Sequence, residues 1–147
     1  MRSIVVDMSY SYPDDGPPAD LLIAAEAKTL GETFAQVAYA MFEIITPLEG
    51  IAEKEEFTLE ATGTDLENLL FNIMDEFLYI NDVEFLVPKK INMVVDIDNL
   101  KATAKCIGDR FSRDTHETGI AVKAVTYHMM VIKETEDGWY IRMVFDT

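Results

Sequence analysis

Carboxylates stand at both ends of the chain, each beside an apolar run. The stretch from Asp14 to Ile23 reads DDGPPADLLI, and Asp20 directly precedes its apolar part, while Asp146 follows the last apolar run, one residue before Thr147. If the two runs form neighbouring strands, Asp20 and Asp146 meet at one edge of a sheet, beside the terminal carboxylate of Thr147. Hard cations take roughly six or more oxygen ligands, so this pattern suits a divalent cation, Ca or Mg. The alternative is a solvated acidic loop that leads into a strand.

Two histidines and one lysine are the other candidates for chemistry. His116 and His128 are the only imidazoles, and His128 falls in an alternating run, where a hydrogen-bonded structural histidine is the alternative reading. Lys123 interrupts the same run on the opposite face and is a candidate functional cation. The alternative is a surface lysine whose aliphatic stem is buried. The sequence contains no Gly-rich phosphate loop after a strand, no HExxH, no nucleophile elbow and no Cys-x-x-Cys pair.

Composition excludes several classes of partner. The chain has 27 Asp and Glu against 12 Lys and Arg, a net charge of −15, which repels a phosphate backbone, so we expect no direct nucleic-acid binding. No run approaches the ~20 apolar residues of a membrane span. Cys106 is the one cysteine, which excludes an intrachain disulfide and favours a reducing location, cytoplasmic or, in a eukaryote, nuclear. With 147 residues, 49% of them hydrophobic, we expect one domain, 1–147, and a monomer.

Apolar spacing and capping signals predict two helices. Residues 29–32 fit a capping box, in which a Thr hydroxyl and a Glu carboxylate satisfy free N–H groups, and an apolar stripe follows until Pro47. Residues 64–67 repeat the capping pattern, and a wide apolar face continues to Ile80. The adjacent carboxylates Asp75 and Glu76 are expected on the solvated side of this second helix.

Alternation and turn residues predict strands around both helices. The predicted strands cover residues 20–27, 57–61, 91–97, 100–106, 122–131 and 139–145, with turns at 98–99 and 136–138. The resulting fold class is α+β: a two-layer α/β sandwich in which a mixed sheet carries two main helices on one face and ends in C-terminal antiparallel hairpins. The strand-helix-strand order near the start allows one parallel pair. Cys106 is expected as a small core residue.

Three motifs, in this order and spacing, resemble the archease family. They are LLFNIMDE at 69–76, KAVTYH at 123–128 and the terminal FDT. ADLLIAAEAKTL at 19–30 and ETFAQVAYAMFEIIT at 32–46 extend the resemblance over nearly the whole chain, from about Tyr10 to Thr147.

The resemblance implies an accessory protein and not an enzyme. Archeases help the RtcB-type tRNA-splicing RNA ligase to acquire guanylate and to turn over repeatedly. The family's divalent-cation site, for Ca or a similar ion, would fall here on Asp20, Asp146 and Thr147, and its functional lysine on Lys123. An acidic protein can dock on a ligase whose RNA groove is basic, because complementary charge raises the encounter rate.

The loop before Asp20 departs from the family pattern. Where archeases usually read Asp-His-Thr-Ala-Asp, residues 16–20 read GPPAD, so only the final Asp is kept, and Asp15 is the candidate substitute for the first. Two rival functions are a metal-dependent hydrolase that uses Asp20 and Asp146 with His128 as base, and a chaperone-like module with an exposed methionine surface. Three methionines, however, are predicted on core faces: Met41, Met74 and Met93.

Overall fold

The computed structural model describes residues 8–16 and 20–147. The elements, in chain order, are β1 (Ser9–Ser11), β2 (Asp20–Ala27), α1 (Leu30–Ile45), a short 3-10 helix (Leu48–Gly50), β3 (Glu55–Thr62), α2 (Leu66–Glu84), β4 (Leu86–Asp96), β5 (Lys101–Arg110), β6 (Ala124–Val125), β7 (Val131–Glu134) and β8 (Trp139–Asp146). Residues 17–19, which belong to the loop that departs from the archease pattern, lie outside the described residues. The α+β class with two main helices is confirmed.

Both helices begin where the sequence places a cap. Thr29 caps α1: its hydroxyl oxygen accepts the N–H of Glu32 at 3.1 Å and its hydroxyl donates to the Glu32 carboxylate at 2.8 Å, as in the predicted capping box. The second cap is one residue later than predicted, because Asp65 and not Thr64 accepts the N–H of Asn68, at 2.7 Å. Asp and Thr are both good N-cap residues, so the sequence pattern alone did not separate them.

The strands form two antiparallel sheets in the described residues, where one mixed sheet was expected. A five-stranded sheet has the order β1-β2-β8-β6, with β7 also on β8, and a three-stranded sheet has the order β3-β5-β4. The predicted parallel pair is wrong because the chain changes sheet at α1: β2 pairs with β8, whereas β3 pairs with β5. The expected hairpins are confirmed for β4–β5 and β7–β8.

The core lies where the helices meet the two sheets. Each helix contacts strands of both sheets. The expectation that both helices lie on one face of a single sheet is therefore also wrong. Met41, Met74 and Met93 are buried as predicted, and Cys106 is 5% exposed. Asp75 and Glu76 lie on the exposed side of α2. The largest fully buried side chains are Phe34, Phe42, Phe77, Phe145, Ile23, Met41, Leu69, Leu70, Ile73, Met74, Ile141 and Met143.

The predicted long strand over residues 122–131 does not form. Within this region only the short strand β6, near its start, and the first residue of β7, at its end, pair with β8. Between them the chain turns at residues 127–130, where the N–H of Met130 donates to the carbonyl of Tyr127 at 3.1 Å and Met129 takes a φ of 58°. The reason is non-local: the ring of Tyr127 stacks on Phe71 of α2 at 4.4 Å, which draws the chain out of the sheet.

Candidate functional site

Asp20 and Asp146 lie directly opposite each other in the antiparallel ladder of β2 and β8. Residues that face each other in such a ladder point to the same side of the sheet, with Cβ atoms about 5 Å apart. Both residues are exposed. The two carboxylates from opposite ends of the chain therefore share one patch of surface at the end of this ladder.

This pairing is unfavourable without a cation. Like charges placed directly opposite across two strands destabilise the pair, and none of the ion pairs found in residues 8–16 and 20–147 includes Asp20 or Asp146. The carboxylate oxygens match the donor type that Ca²⁺ and Mg²⁺ prefer. Within the described part of the chain, no group of three or more His, Cys, Asp or Glu side chains is arranged to hold a metal, so further ligands would have to be backbone oxygens, a terminal carboxylate or water.

Lys123 and Thr147 flank the carboxylate pair. The N–H of Lys123 donates to the carbonyl oxygen of Asp146 at 2.7 Å, and the next residue, Ala124, pairs with Asp146 in the ladder of β6 and β8. The Lys123 side chain is exposed, and Thr147 follows β8 directly with part of its surface exposed. The fold thus brings Asp20, Asp146, Thr147 and Lys123 to one end of the five-stranded sheet.

Asp15 is held at a different place on the same sheet. Its carboxylate forms an ion pair with Arg142 at 2.8 Å, and Arg142 precedes Asp146 by four residues, about 13 Å along an extended strand. The Nε atom of Arg142 is buried and has no hydrogen-bond partner in the described residues. The structure therefore does not group Asp15 with Asp20 and Asp146.

The two histidines have different surroundings. His128 lies in the exposed turn at 127–130, so its predicted place in a strand is wrong. The side chain of His116 is 4% exposed, its Nδ1 accepts the N–H of Ser112 at 2.9 Å, and its ring stacks on Phe111. His116 thus stabilises the start of the long connection after β5, which is a structural role.

Two features near the site were missed from the sequence. Tyr127 fastens the loop between Lys123 and β7, because its ring stacks on Phe71 and its hydroxyl accepts a hydrogen bond from Asn68 at 2.8 Å. Gly119 brings residues 118–123 against the end of α1, where its N–H donates to the carbonyl of Ile45 at 2.8 Å. A glycine in a polar segment indicates no more than a turn, and the role of Gly119 depends on a partner 74 positions away in the chain.

Comparison with known proteins agrees with this architecture. Residues 10–147 match the model of the Archease protein family. The chain is 35% identical to protein archease of Sulfolobus acidocaldarius over 128 residues, 87% of this chain and 92% of that protein. It is 36% identical to protein archease-like of Drosophila melanogaster over 140 residues, 93% of this chain and 88% of that protein.

A solved structure has the same fold. The solution structure of Methanobacterium thermoautotrophicum protein 1598 superimposes with a TM-score of 0.77 at 32% identity, covering 95% of this chain and 98% of that chain. The fold and the site thus define a small α+β protein with a carboxylate pair at one sheet end. This chain belongs to the archease family. In the part of the chain that the structure describes, no helix combines the length and apolar character that crossing a bilayer requires.

Proposed function

We propose that this protein is an accessory activator of an RtcB-type tRNA-splicing RNA ligase, with a divalent-cation site at Asp20, Asp146 and Thr147. The observation that carries the proposal is the direct pairing of Asp20 with Asp146 in a member of the archease family. The protein acts by binding the ligase and promoting its guanylylation and repeated turnover, and it does not join RNA itself. It works in the cytoplasm, or in the nucleus of a eukaryote, as a single-domain monomer.

The chemistry of the site follows from its oxygen donors. Asp20 and Asp146 would hold Ca²⁺ or Mg²⁺ together with an oxygen of Thr147. When bound, the cation supplies positive charge that offsets the repulsion between the two carboxylates. Lys123, whose backbone N–H bonds to Asp146 and whose side chain is exposed, is proposed to contact the ligase.

Charge supports a partner with a basic surface. The net charge of −15 steers the protein toward a cationic surface and away from free RNA. A ligase that binds RNA presents such a surface. The rival hydrolase reading has weaker support, because His128, its proposed base, belongs to a turn that Tyr127 anchors on α2 and not to the β6–β8 ladder. The rival chaperone function also has weaker support, because methionines that are buried in the core cannot form an exposed binding surface.

Thermal unfolding with and without Ca²⁺ or Mg²⁺ tests the cation site. A ligand at 100 times its Kd stabilises a protein by about 2.7 kcal/mol, so the melting temperature of the wild type should rise. Asp20→Asn and Asp146→Asn should abolish that rise, and in chelator each should be more stable than the wild type by about 0.2–1 kcal/mol, because the carboxylate repulsion is removed.

Glu56→Gln, on the exposed side of β3, is the matched control. Residues appended after Thr147 should weaken cation binding. An unchanged rise in both Asp variants would remove the site.

A ligase assay tests the function. Guanylylation of the purified cognate ligase and multiple-turnover RNA joining are measured with and without this protein. The wild type and Glu56→Gln should stimulate both steps, while Asp20→Ala, Asp146→Ala and Lys123→Ala should stimulate them weakly or not at all. Absence of stimulation by the wild type would contradict the function, and equal stimulation by every variant would contradict the site.

A further inference from the structure

A cleft lies between the end of α2 and residues 118–122. It has a volume of about 200 Å³, and Phe85, Ile120, Phe111 and Ile45 give it apolar walls while Asp82 contributes a carboxylate. The two side chains at its mouth are unusually open to solvent: Phe85 is 56% exposed and Ile120 is 58% exposed. Large apolar groups that flank a cleft in this way are typical of binding surfaces.

Phe85 occupies its position at a conformational cost. It is the C-cap of α2 with φ 61° and ψ 16°, the left-handed region that glycine adopts without strain and that a residue with a Cβ disfavours. Its backbone is fixed there, since its N–H donates to Asn81 at 2.9 Å and its carbonyl accepts the N–H of Phe111 at 2.7 Å. An aromatic side chain that is strained and also exposed contributes little to the core, so stability does not account for it.

The surface around the cleft is negative. From Leu66 to Glu84, α2 contains no Lys or Arg, and it carries Asp75, Glu76 and Asp82, all exposed. The negative end of a helix dipole favours cations in the last turn, yet the last turn of α2 has no basic residue. Arg110 of β5 supplies that charge instead: it donates to the carbonyl of Glu84 at 2.8 Å and pairs with the Glu84 carboxylate. None of the ion pairs found in the described residues includes Asp75, Glu76 or Asp82, so a cationic partner would complement these three carboxylates.

The cleft is connected to the carboxylate pair by one short segment. The N–H groups of Gly119 and Ile120 donate to the carbonyls of Ile45 and Ile44, both at 2.8 Å, which holds the segment against the end of α1. Lys123, three residues after Ile120 and so about 10 Å away at most, is bonded to Asp146. A partner seated in the cleft can therefore reach the candidate cation site without releasing its hold.

We propose that the Phe85–Ile120 cleft is the docking surface for the partner ligase, and that it receives a Lys- or Arg-rich segment of the ligase with one large apolar side chain. The apolar side chain enters between Phe85 and Ile120, and the basic residues pair with Asp82 and the other carboxylates of α2. The proposal rests on the function proposed above. It adds a binding surface whose task is separate from that of Asp20 and Asp146.

Calorimetric binding of the full chain to the purified cognate ligase, at low and at moderate salt, tests the docking surface. Phe85→Gly and Ile120→Ser should each weaken binding about tenfold, and Asp82→Asn should weaken it and reduce its salt dependence. Val94→Ser is the matched control, because Val94 is 64% exposed but belongs to β4 of the three-stranded sheet. Phe85→Gly should also raise the melting temperature, since it removes the left-handed strain. A variant that folds more stably and binds more weakly excludes misfolding as the cause.

The outcomes separate docking from activation. Asp20→Asn should retain ligase binding while it loses stimulation, whereas Phe85→Gly should regain stimulation at high protein concentration. Wild-type affinity for both Phe85→Gly and Ile120→Ser, with stimulation intact, would overturn the docking surface and leave the proposed function in place. A wild type that neither binds nor stimulates the ligase would overturn both. Self-association that disappears in Phe85→Gly, seen by sedimentation, would assign the cleft to a second copy of this chain and overturn ligase docking.

Discussion

Asp20 and Phe85 each occupy a position that lowers the stability of this protein. Asp20 faces Asp146 across the ladder, and Phe85 holds a left-handed conformation with more than half of its side chain exposed. Repulsion between like charges and backbone strain each cost roughly 1 kcal/mol, a substantial part of the 5–15 kcal/mol that stabilises a typical domain. Costs of this kind concentrate at functional sites. Here both positions adjoin residues 120–123, because Phe85 lines the cleft with Ile120 and Asp146 is bonded to Lys123.

Cys106 shows the opposite behaviour, because burial makes it stabilising and inert. Burial raises the pKa of the Cys106 thiol from 9.0 to about 12. Above pH 9 the unfolded chain loses this proton while the folded protein keeps it, so stability contributed by the neutral thiol is present below pH 9 and is lost as pH rises toward 12.

The prediction is that Cys106→Ala removes part of the alkaline loss of stability. Between about pH 8 and pH 10.5, the free energy of unfolding of the wild type should fall more steeply than that of the variant, by about 2 kcal/mol in total. Urea unfolding at several pH values measures both slopes. Parallel slopes would show that the thiol is not protected by burial.

The connection between β5 and β7 is the element that most affects the site. Besides the β6–β8 ladder and the bond from Lys123 to Asp146, two attachments fix it to the helices: Gly119 and Ile120 to the end of α1, and Tyr127 to α2. A bond within the connection, from Ser112 to His116, orders its start. Because Lys123 lies between the two helix attachments, its position depends on them as well as on Asp146.

We expect Gly119→Ala to destabilise the protein and to loosen this connection. A Cβ atom at Gly119 would collide with the carbonyl oxygen of Ile44 and lie 2.8 Å from that of Ile45, so the segment must move away from α1 at a cost of about 2 kcal/mol. Urea unfolding gives the cost, and hydrogen exchange at Ile120 reports the lost bond. Gly50→Ala is the control, since nothing lies within 4 Å of a Cβ there. Equal stability of the two variants would contradict the close approach.

At the level of the whole molecule, two sheets share two helices and an acidic surface surrounds them. The chain carries 15 more negative than positive charges, and self-repulsion of this size opposes the compact state. Because the protein is acidic, the partner surface proposed above is basic. Stability and docking therefore respond to salt in opposite directions.

Added monovalent salt should raise the melting temperature of the free protein by a few degrees. Screening shortens the Debye length to about 10 Å at 0.1 M, which weakens repulsion between surface carboxylates. Thermal unfolding in chelator, at low and moderate ionic strength, measures the effect. Choline chloride should act as strongly as sodium chloride, because its cation is too bulky for a carboxylate cage. A rise that occurs only with sodium would indicate a bound ion and not general screening.

Local chemistry in the sequence determined the helices, most strands and the composition of the core. Thr29, the apolar stripe of α1 and the alternation in β4 and β5 act over a few residues, so their patterns could be read without the fold. The methionines and Cys106 on those patterns are buried as predicted. The sequence also indicated that Asp20 begins one strand and Asp146 ends another, but it left open whether the two strands are neighbours.

The tertiary structure alone decided which distant segments meet. It paired β2 with β8 and not with β3, placed Asp15 against Arg142, and broke the run at 122–131 because Tyr127 stacks on α2. It also left Phe85 strained at the mouth of a cleft. Such pairings depend on the energy of the whole packed core, in which alternatives of similar local pattern compete, and no periodicity within one segment distinguishes them.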